Sequence, residues 1–567
     1  MAMDHPQALP SLDVWTSALL SKSTAGRGSN GKVEAYAIKK LRELILELAV
    51  RGKLVPQDPK DEPASALLKR IQAEKARLIA EGKIKKDKPL PQISEEEKPY
   101  ALPLCWEWVR LPEIYLSISP SGSKLLSSAI KDAGTFPVVD QGQRYIAGYT
   151  DDAALLINLP GPVIVFGDHT TERKYIDFDF VAGADGVKIL RPILQDEHFF
   201  FRQLQGYRLE ERGYARHFKV LNDNLYALPP IEEQHRIVAK VDELMALCDQ
   251  LEQQQTDSLA AHQTLVETLL GTLTRVGSQQ DFSAAWARIA SHFDTLFTTE
   301  ASIDQLKQTI LQLAVMGKLV PQDPNDEPVT VFLERIGKEK ERLIREGKIK
   351  KDKPLLGLAN GMPFEIPDSW SWVSFEDVVD ITSGVTLGRK VSGKRLVTMP
   401  YLRVANVQRG YLDLGQIKEI GLTEEELDKY SVMVRDLLIT EGGDWDKVGR
   451  TAIWRDELPR VAHQNHVFKA RCFLDEQNEV WLEKYLNSEV ARNYFAGSSK
   501  QTTNLASINK TQLRRCPVAI PPINEQHRIV AKVDELMALC DALKVRLADA
   551  QTTQLHLADA IVAQAVC

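Results

Sequence analysis

Apolar residues recur along this chain with two different periods, and the two periods alternate in blocks. From position 231 the apolar positions step by four and three: Ile237, Val241, Leu244, Cys248 and Leu251. The frame continues through Gln255, Ser258 and His262 to Leu265 and Leu269, which predicts a single helix over 231–275. A stripe with this period requires a partner helix along its length. The same stripe returns at Ile529, Val533, Leu536, Cys540, Leu543 and Leu547. Pro229–Pro230 and Pro521–Pro522 end whatever precedes each helix and launch it. At 1.5 Å per residue the first helix would be about 65 Å long, well beyond the ~34 Å of one DNA turn.

Shorter helical patterns precede these. ILELAV and ILQLAV end at Gly52 and Gly317, and Pro56 and Pro321 forbid continuation. Asp61-Glu62-Pro63 and Asp326-Glu327-Pro328 are expected to open second helices with acidic first turns. LLKRIQAEKARLI and FLERIGKEKERLI follow and end at Gly82 and Gly347. The lysine-rich KIKKDK after each could lie along a DNA backbone, although a solvated helix exit is the blander and favoured account. Elsewhere the apolar segments are short and β-rich: GPVIVFGD, KYIDFDFV and GVKILRPI early, MPYLRVANV, RDLLITEGG and RTAIWRDE late.

This order repeats because the sequence repeats. EQHRIVAKVDELMALCD stands at 233–249 and again at 525–541, an offset of 292, while Leu41–Leu90 aligns without gaps to Leu306–Leu355, an offset of 265. The intervening stretches, about 93–230 and 357–522, are not recognisably alike. The expected organisation is an N-terminal segment (1–34), helical repeat (35–92), variable domain (93–230), spacer helix (231–280), second helical repeat (281–356), second variable domain (357–522) and distal helix (523–567). The fold class is α+β: two mixed α/β domains separated by long, coiled-coil-like helices. The simplest packing sets these helices antiparallel, with the domains related by a pseudo-two-fold axis.

Composition narrows the picture. At 567 residues, 44% hydrophobic and 26% charged, the chain has the make-up of a globular protein with more than one core. Apolar runs are too short for a membrane span, the N-terminus lacks a secretory pattern, and the six cysteines form no C-x-x-C pair. These features lead us to expect a cytoplasmic protein without metal or disulfides. A net charge of −7 counts against a nucleic-acid-binding chain acting alone.

Candidate chemistry lies in the variable domains. Each opens on a tryptophan pair, Trp106/Trp108 and Trp370/Trp372, whose spacing on a strand suits packing anchors. In the first domain Arg144 and Tyr145, then FGDHTTERKYID with His169, Thr171, Arg173, Lys174 and Tyr175, supply donors and rings on loops between strands. In the second, Arg389, Lys390, Arg403 and Asn406 precede EGGDWDKVGR with Asp444, Trp445, Lys447 and Arg450, and AHQNHVFKAR with Gln464 and Asn465. Such residues on exposed loops are the inventory for reading base edges and holding phosphates. Asp168/His169 and His463/His466 lack a third ligand at metal-binding spacing. Neither a phosphate-binding loop, an adenine-methyltransferase motif nor a closed nuclease constellation is present; LPPI and IPPI, TLGRK and DFDFVAGADGVK are poor echoes of these.

Two unlike domains between duplicated helices, each ending in PPI-(E/N)-EQHRIVAKVDEL, with GKLVPQDPxDEP and EGKIKKDKP before them, resemble the specificity subunit of type I restriction–modification enzymes. The resemblance covers nearly the whole chain from about residue 35. It implies that the variable regions are target recognition domains, each reading one half of a split, asymmetric site on double-stranded DNA. It also implies two modification (methyltransferase) subunits and restriction/translocase subunits as partners, with S-adenosylmethionine, ATP and Mg on those partners, and no cofactor or catalytic residue in this chain. FGDHT and EGGDW look like segments recurrent in such domains. The competing readings are a coiled-coil scaffold with two protein-interaction domains, and a self-contained nuclease or methyltransferase.

Overall fold

The computed structural model describes residues 20–21, 33–85, 89–119, 125–183, 186–207, 209, 216–277, 279–351, 362–389, 395–443, 447–498, 500–502 and 505–566. The chain divides into two compact units, residues 1–258 with 550–567, and residues 259–549. Six helices carry the repeated sequence: α1 (Tyr36–Val50), α2 (Ala64–Ala80), α3 (Ile231–Arg275), α4 (Glu300–Val315), α5 (Val329–Arg345) and α6 (Ile523–Val566).

Helix α1 stops where its glycine demands. Gly52 lies at φ 69°, and the amides of Gly52 and Lys53 bond back to the carbonyls of Ala49 (3.3 Å) and Leu48 (2.9 Å). That pair of bonds satisfies the last carbonyls and closes a helix on a left-handed residue. Gly317 repeats the motif at φ 70°, with bonds of 3.1 and 2.9 Å to Ala314 and Leu313. Helices α2 and α5 differ from the sequence expectation. Pro63 and Pro328 are the N-cap residues, so the acidic pairs fall just outside the first turn. There they meet cations instead of the helix dipole: Glu62 pairs with Arg70, and Asp61 pairs with Arg236 on α3 at 2.6 Å.

Helix α3 is a single 45-residue helix beginning directly after Pro230. In the first unit its stripe residues Ile237, Val241 and Cys248 share a core with Ile38, Ile45 and Ala49 of α1, together with Trp106 and Phe199. The stripe therefore finds a partner in α1, where periodicity alone pointed to the other long helix. A second face of α1, carrying Ala37 and Leu44, takes Ala558 and Val562 of α6. In the second unit Ile303, Leu306 and Ile310 of α4 lie in one core with Val266, Leu270 and Leu273 of α3 and Ile529, Val533 and Cys540 of α6.

The duplicated seventeen residues close the same latch twice. Buried Glu233 accepts the Trp106 indole N–H (2.9 Å) and the Gln57 side-chain amide (3.1 Å). Buried Glu525 accepts the Trp370 indole N–H (3.0 Å) and the Gln322 amide (3.2 Å). Burial holds both carboxyls above their ordinary pKa, opposed by the indole hydrogen bonds. Arg236 pairs with Asp61 and Arg528 with Asp326, each at 2.6 Å. Gln234 and Gln526 donate side-chain N–H to the carbonyls of Pro229 (3.0 Å) and Pro521 (2.9 Å), fixing the turn into each helix. Trp108 and Trp372 pack edge-on against Tyr100 and Phe364, at centroid distances of 5.0 and 5.1 Å. All four tryptophans are thus packing anchors.

The two domains that look unrelated in sequence share one sheet order. In the first, an antiparallel sheet runs Tyr115–Ile118, Val187–Pro192, Val163–Gly167, Arg173–Ile176. Its counterpart in the second runs Val379–Ser383, Val467–Cys472, Leu437–Thr440, Thr451–Ile453. A further sheet runs Gly148–Thr150, Phe136–Val139, Phe180–Ala182, Leu156–Ile157, with the middle pair parallel. It is matched by Lys418–Leu422, Val397–Leu402, Val461–His463, Ser431–Val432, again parallel in the middle. The start and end of each domain are pinned by a two-stranded ribbon, Glu107–Arg110 with Leu225–Leu228 and Ser371–Ser374 with Pro517–Ile520.

Candidate nucleic-acid interface

This shared topology brings three connections together in each domain. In the first they are 140–147, 168–172 and the turn holding Gly183 and Gly186. The Asp168 amide bonds to the Gly186 carbonyl (2.8 Å), Thr170 Oγ1 donates to the Gln141 carbonyl (2.5 Å), and the His169 amide meets Gln141 Oε1 (3.3 Å). An added Cβ at Gly186 would lie 2.5 Å from Gln141 Oε1 and 3.0 Å from the His169 ring, so glycine is what lets these connections touch. In the second domain the equivalents are 403–416, 441–443 with 447–450, and 464–466. The Glu441 amide bonds to the His466 carbonyl (2.9 Å), and Arg450 Nη1 donates to Gln408 Oε1 (2.6 Å). FGDHT and the described EGG (441–443) of EGGDW, chosen separately from sequence, follow equivalent strands of the same sheet order.

Within the first domain the candidates divide by exposure. Arg144 is exposed and Tyr145 half exposed, its hydroxyl donating to the Tyr175 carbonyl (2.5 Å). Thr171 holds the turn at φ 60°, with its amide bonded to the Gly167 carbonyl (2.9 Å). Tyr175 stacks on His198 at 4.3 Å. Lys174 is only 5% exposed, and its ammonium donates to the carbonyls of Asp140 (2.9 Å) and Arg144 (2.5 Å). Burial pulls its pKa down, and its work is to tether the 140–147 loop. Arg173 donates to the Tyr207 carbonyl (2.8 Å) and lies over the Phe166 ring, with burial again lowering its pKa.

In the second domain Asn406 is 2% exposed and bonds to the carbonyls of Asp413 (2.8 Å) and Gln416 (3.1 Å). Arg389 forms a two-pronged pair with Glu426, both contacts 2.7 Å. Arg403 donates to the Gln416 carbonyl (2.9 Å). Lys174, Asn406 and Arg389, expected as DNA contacts, are thus committed to holding loops. Burial hides the first two, and a bidentate carboxylate engages the third. Lys447 presents its carbonyl to Thr440 Oγ1 (2.6 Å), while Gln464 and Asn465 are anchored through backbone bonds of 2.9 Å to Leu402 and Val385. Lys390, Asp444 and Trp445 lie outside the described residues.

Sequence reasoning missed several members of these ends. Gln141 and Gln408 bridge loops, yet nothing in their local sequence marks them. His466, named from sequence beside Gln464 and Asn465 but not kept among the candidates, donates Nδ1–H to Glu441 (2.6 Å) and sits beside Asn465 (3.3 Å). His463 is buried, bonded through Nδ1 to the Val467 carbonyl (2.7 Å), and desolvation drops its pKa to about 3. It is a core residue and stays neutral. The ribbon of Lys500–Thr502 and Leu505–Ser507 extends from Gly442–Gly443, although KQTTNLAS has no strand-like apolar run. Among the described residues no three His, Cys, Asp or Glu side chains gather as metal ligands, and no helix is long and apolar enough to cross a membrane.

Two domains of one topology, latched identically to their helices and different at their loop ends, define a double-headed recognition protein. Residues 367–549 match the type I restriction modification DNA specificity domain. The chain is 40% identical over 606 aligned positions to the type I restriction enzyme EcoAI specificity subunit of Escherichia coli, covering 98% of both chains. It is 39% identical to the EcoEI specificity subunit of the same organism, covering 97% of both. The solved HsdS subunit from Thermoanaerobacter tengcongensis aligns with 83% of this chain and 98% of its own, at 18% identity and a TM-score of 0.35. The chain belongs to the family of type I restriction enzyme specificity subunits.

Proposed function

We propose that each loop end reads one half of a two-part, asymmetric DNA site, and that α3 and α6 set the gap between the halves. The carrying observation is the contrast between copies: the latch residues are identical, while the loops on the shared topology differ residue by residue. Identical scaffold halves suit two copies of one methyltransferase partner, and different loops suit two different half-sites. In this reading the methyltransferase subunits bring S-adenosylmethionine and the pocket that receives a flipped adenine, and restriction subunits bring ATP and Mg. This chain supplies discrimination and no catalytic group. With its net charge of −7 it would bind DNA weakly alone, and tightly and salt-sensitively once partners enclose the duplex.

The side chains proposed to face DNA are Arg144, Tyr145, His169, Thr171, Lys447, Arg450, Gln464 and Asn465, with Arg173, Tyr175 and Arg403 shaping the same ends. The test is to replace the first domain, between the paired strands Glu107–Arg110 and Leu225–Leu228, with that of a relative, and to map methylated adenines in cells carrying the methyltransferase. One half of the methylated motif should change, with the gap and the other half retained. A change in both halves would refute the modular reading.

A further inference from the structure

Each unit contains a cleft between its first repeated helix, the aromatic residue that leads into its domain, and the last strand of that domain. In the first unit the cleft has a volume of about 450 Å³ and is lined by Glu47, Val50, Arg51, Tyr100, Gln203 and Tyr207 among others. In the second it is about 710 Å³ and is lined among others by Gln308, Gln312, Met316, Phe364, Glu489 and Tyr494. The 265-residue offset maps Glu47 onto Gln312 and Arg51 onto Met316. Tyr100 and Phe364 correspond by their matched packing on Trp108 and Trp372. These are the same place in the fold, built twice.

The first copy shows what chemistry the place accommodates. Arg51 pairs with Glu47 at 2.7 Å and lays its guanidinium 4.8 Å from the centre of the Tyr100 ring. An acceptor on one side and an aromatic face on the other is a favourable setting for a guanidinium. In the second copy methionine stands where the arginine would be. The acceptor position and the ring persist, but Oε1 of Gln312 and Oε1 of Gln308, one helical turn apart on α4, are buried without a hydrogen-bond partner. Glu267 and Glu489 add carboxylates, and none of the residues lining the cleft is a lysine, arginine or histidine. The larger cleft is thus rich in acceptors, and methionine occupies the place that its twin gives to a cation, while Lys318 close by donates to the carbonyl of the lining residue Thr274 at 2.9 Å.

We propose that the second cleft is a docking pocket for an arginine side chain presented by the methyltransferase partner, inserted where Arg51 lies in the first unit. The partner's identity rests on the function proposed above; the pocket's chemistry does not. The two partner positions are then chemically distinct despite the repeated scaffold, since Arg51 already takes the guanidinium position of the first cleft.

Two measurements on the full chain test this. In the first, methionine methyls are labelled with ¹³C and N-acetyl-arginine amide is titrated in, with no partner present. Met316 and Met362, both lining the cleft, should shift saturably, and Met316→Arg should abolish the response of Met362. The substitution is tolerable because arginine occupies the same cap in the first copy, and the other methyl signals report whether the fold is intact. In the second, stoichiometry with the co-expressed methyltransferase is followed by native mass spectrometry. Met316→Arg and Gln312→Leu should each weaken retention of one partner copy by about ten- to a hundredfold, the loss expected for a charge-assisted bond. Absence of saturable methyl shifts overturns the pocket chemistry. Saturable shifts with both partner copies retained at wild-type affinity overturn the docking assignment and leave the DNA-reading proposal standing.

Discussion

Alanine at Gly52 and alanine at Gly82 should differ in a way that isolates how a recognition domain is seated. Both glycines lie in the left-handed region, at φ 69° and 70°. Each substitution therefore carries the same conformational cost, about 1–2 kcal/mol. At Gly82 an added Cβ meets nothing within 4 Å, whereas at Gly52 it would sit 2.6 Å from Pro103 Cγ and 3.0 Å from the Trp106 ring. Crowding of this kind adds about 1–3 kcal/mol, so Gly52→Ala should cost about 2–5 kcal/mol in local stability and Gly82→Ala about 1–2. Trp106 is the indole held by Glu233, so the strain passes directly into the latch. Hydrogen exchange followed by mass spectrometry reads both effects. Peptides around 44–56 and 100–110 should exchange at least about thirtyfold faster in Gly52→Ala, while Gly82→Ala should speed exchange about tenfold and only near its own helix end. Equal effects of the two substitutions would refute the claim that close approach to Pro103 and Trp106 seats the domain.

The remaining predictions concern pH, loop tethering and readout. Burial keeps the Glu233 and Glu525 carboxyls above their ordinary value of 4.5. Their contribution to stability is complete below that value and is lost as pH rises through the raised values, so Glu233→Gln with Glu525→Gln should flatten that part of the thermal-midpoint profile; an unchanged slope would count against it. Lys174→Met leaves the Asp140 and Arg144 carbonyls without their donor, which should loosen loop 140–147 while leaving the salt dependence of DNA binding by the assembled complex unaltered. A lower salt slope would make Lys174 a phosphate contact after all. Arg450→Ala should relax only the second half-site, by about 1–3 kcal/mol if Arg450 reads a base, or lower the salt slope by about one if it holds a phosphate. Methylome mapping beside salt titration of the complex separates the two.

Much of this architecture was legible in the sequence because it is written in periodicity and repetition. The stripe from Ile237 to Leu269 required a long helix, and the double prolines and Gly52 and Gly317 marked ends that the backbone confirms. The partner of the stripe was not legible, because a heptad specifies that a helix must be covered and not by which one. Nor was the common topology of the two domains: alternating short strands fix pairing only through contacts distant in sequence, and Val163–Gly167 and Leu437–Thr440 share no motif that would reveal equivalent places. At the loop ends, residue type picked out hairpins that the fold sets beside other loops, while the exposure of individual side chains was not legible. Lys174 and Asn406 have suitable chemistry for DNA, yet their burial is set by neighbours such as Asp140 and Asp413, which no local pattern announces.

The two-sided covering of α1 has a consequence for how the protein is made. The face that packs on α3 can be covered once residue 258 is available, but the face carrying Ala37 and Leu44 is covered by Ala558 and Val562, which follow much later in the chain. At roughly 5–20 residues per second the ribosome needs about 15 to 60 seconds to cross the roughly 300 residues between. During this interval the nascent chain holds a nearly finished first unit with one apolar seam open. The helical turns around Ala558 and Val562 act as a closing clasp, so a translation product truncated before them would leave that seam uncovered.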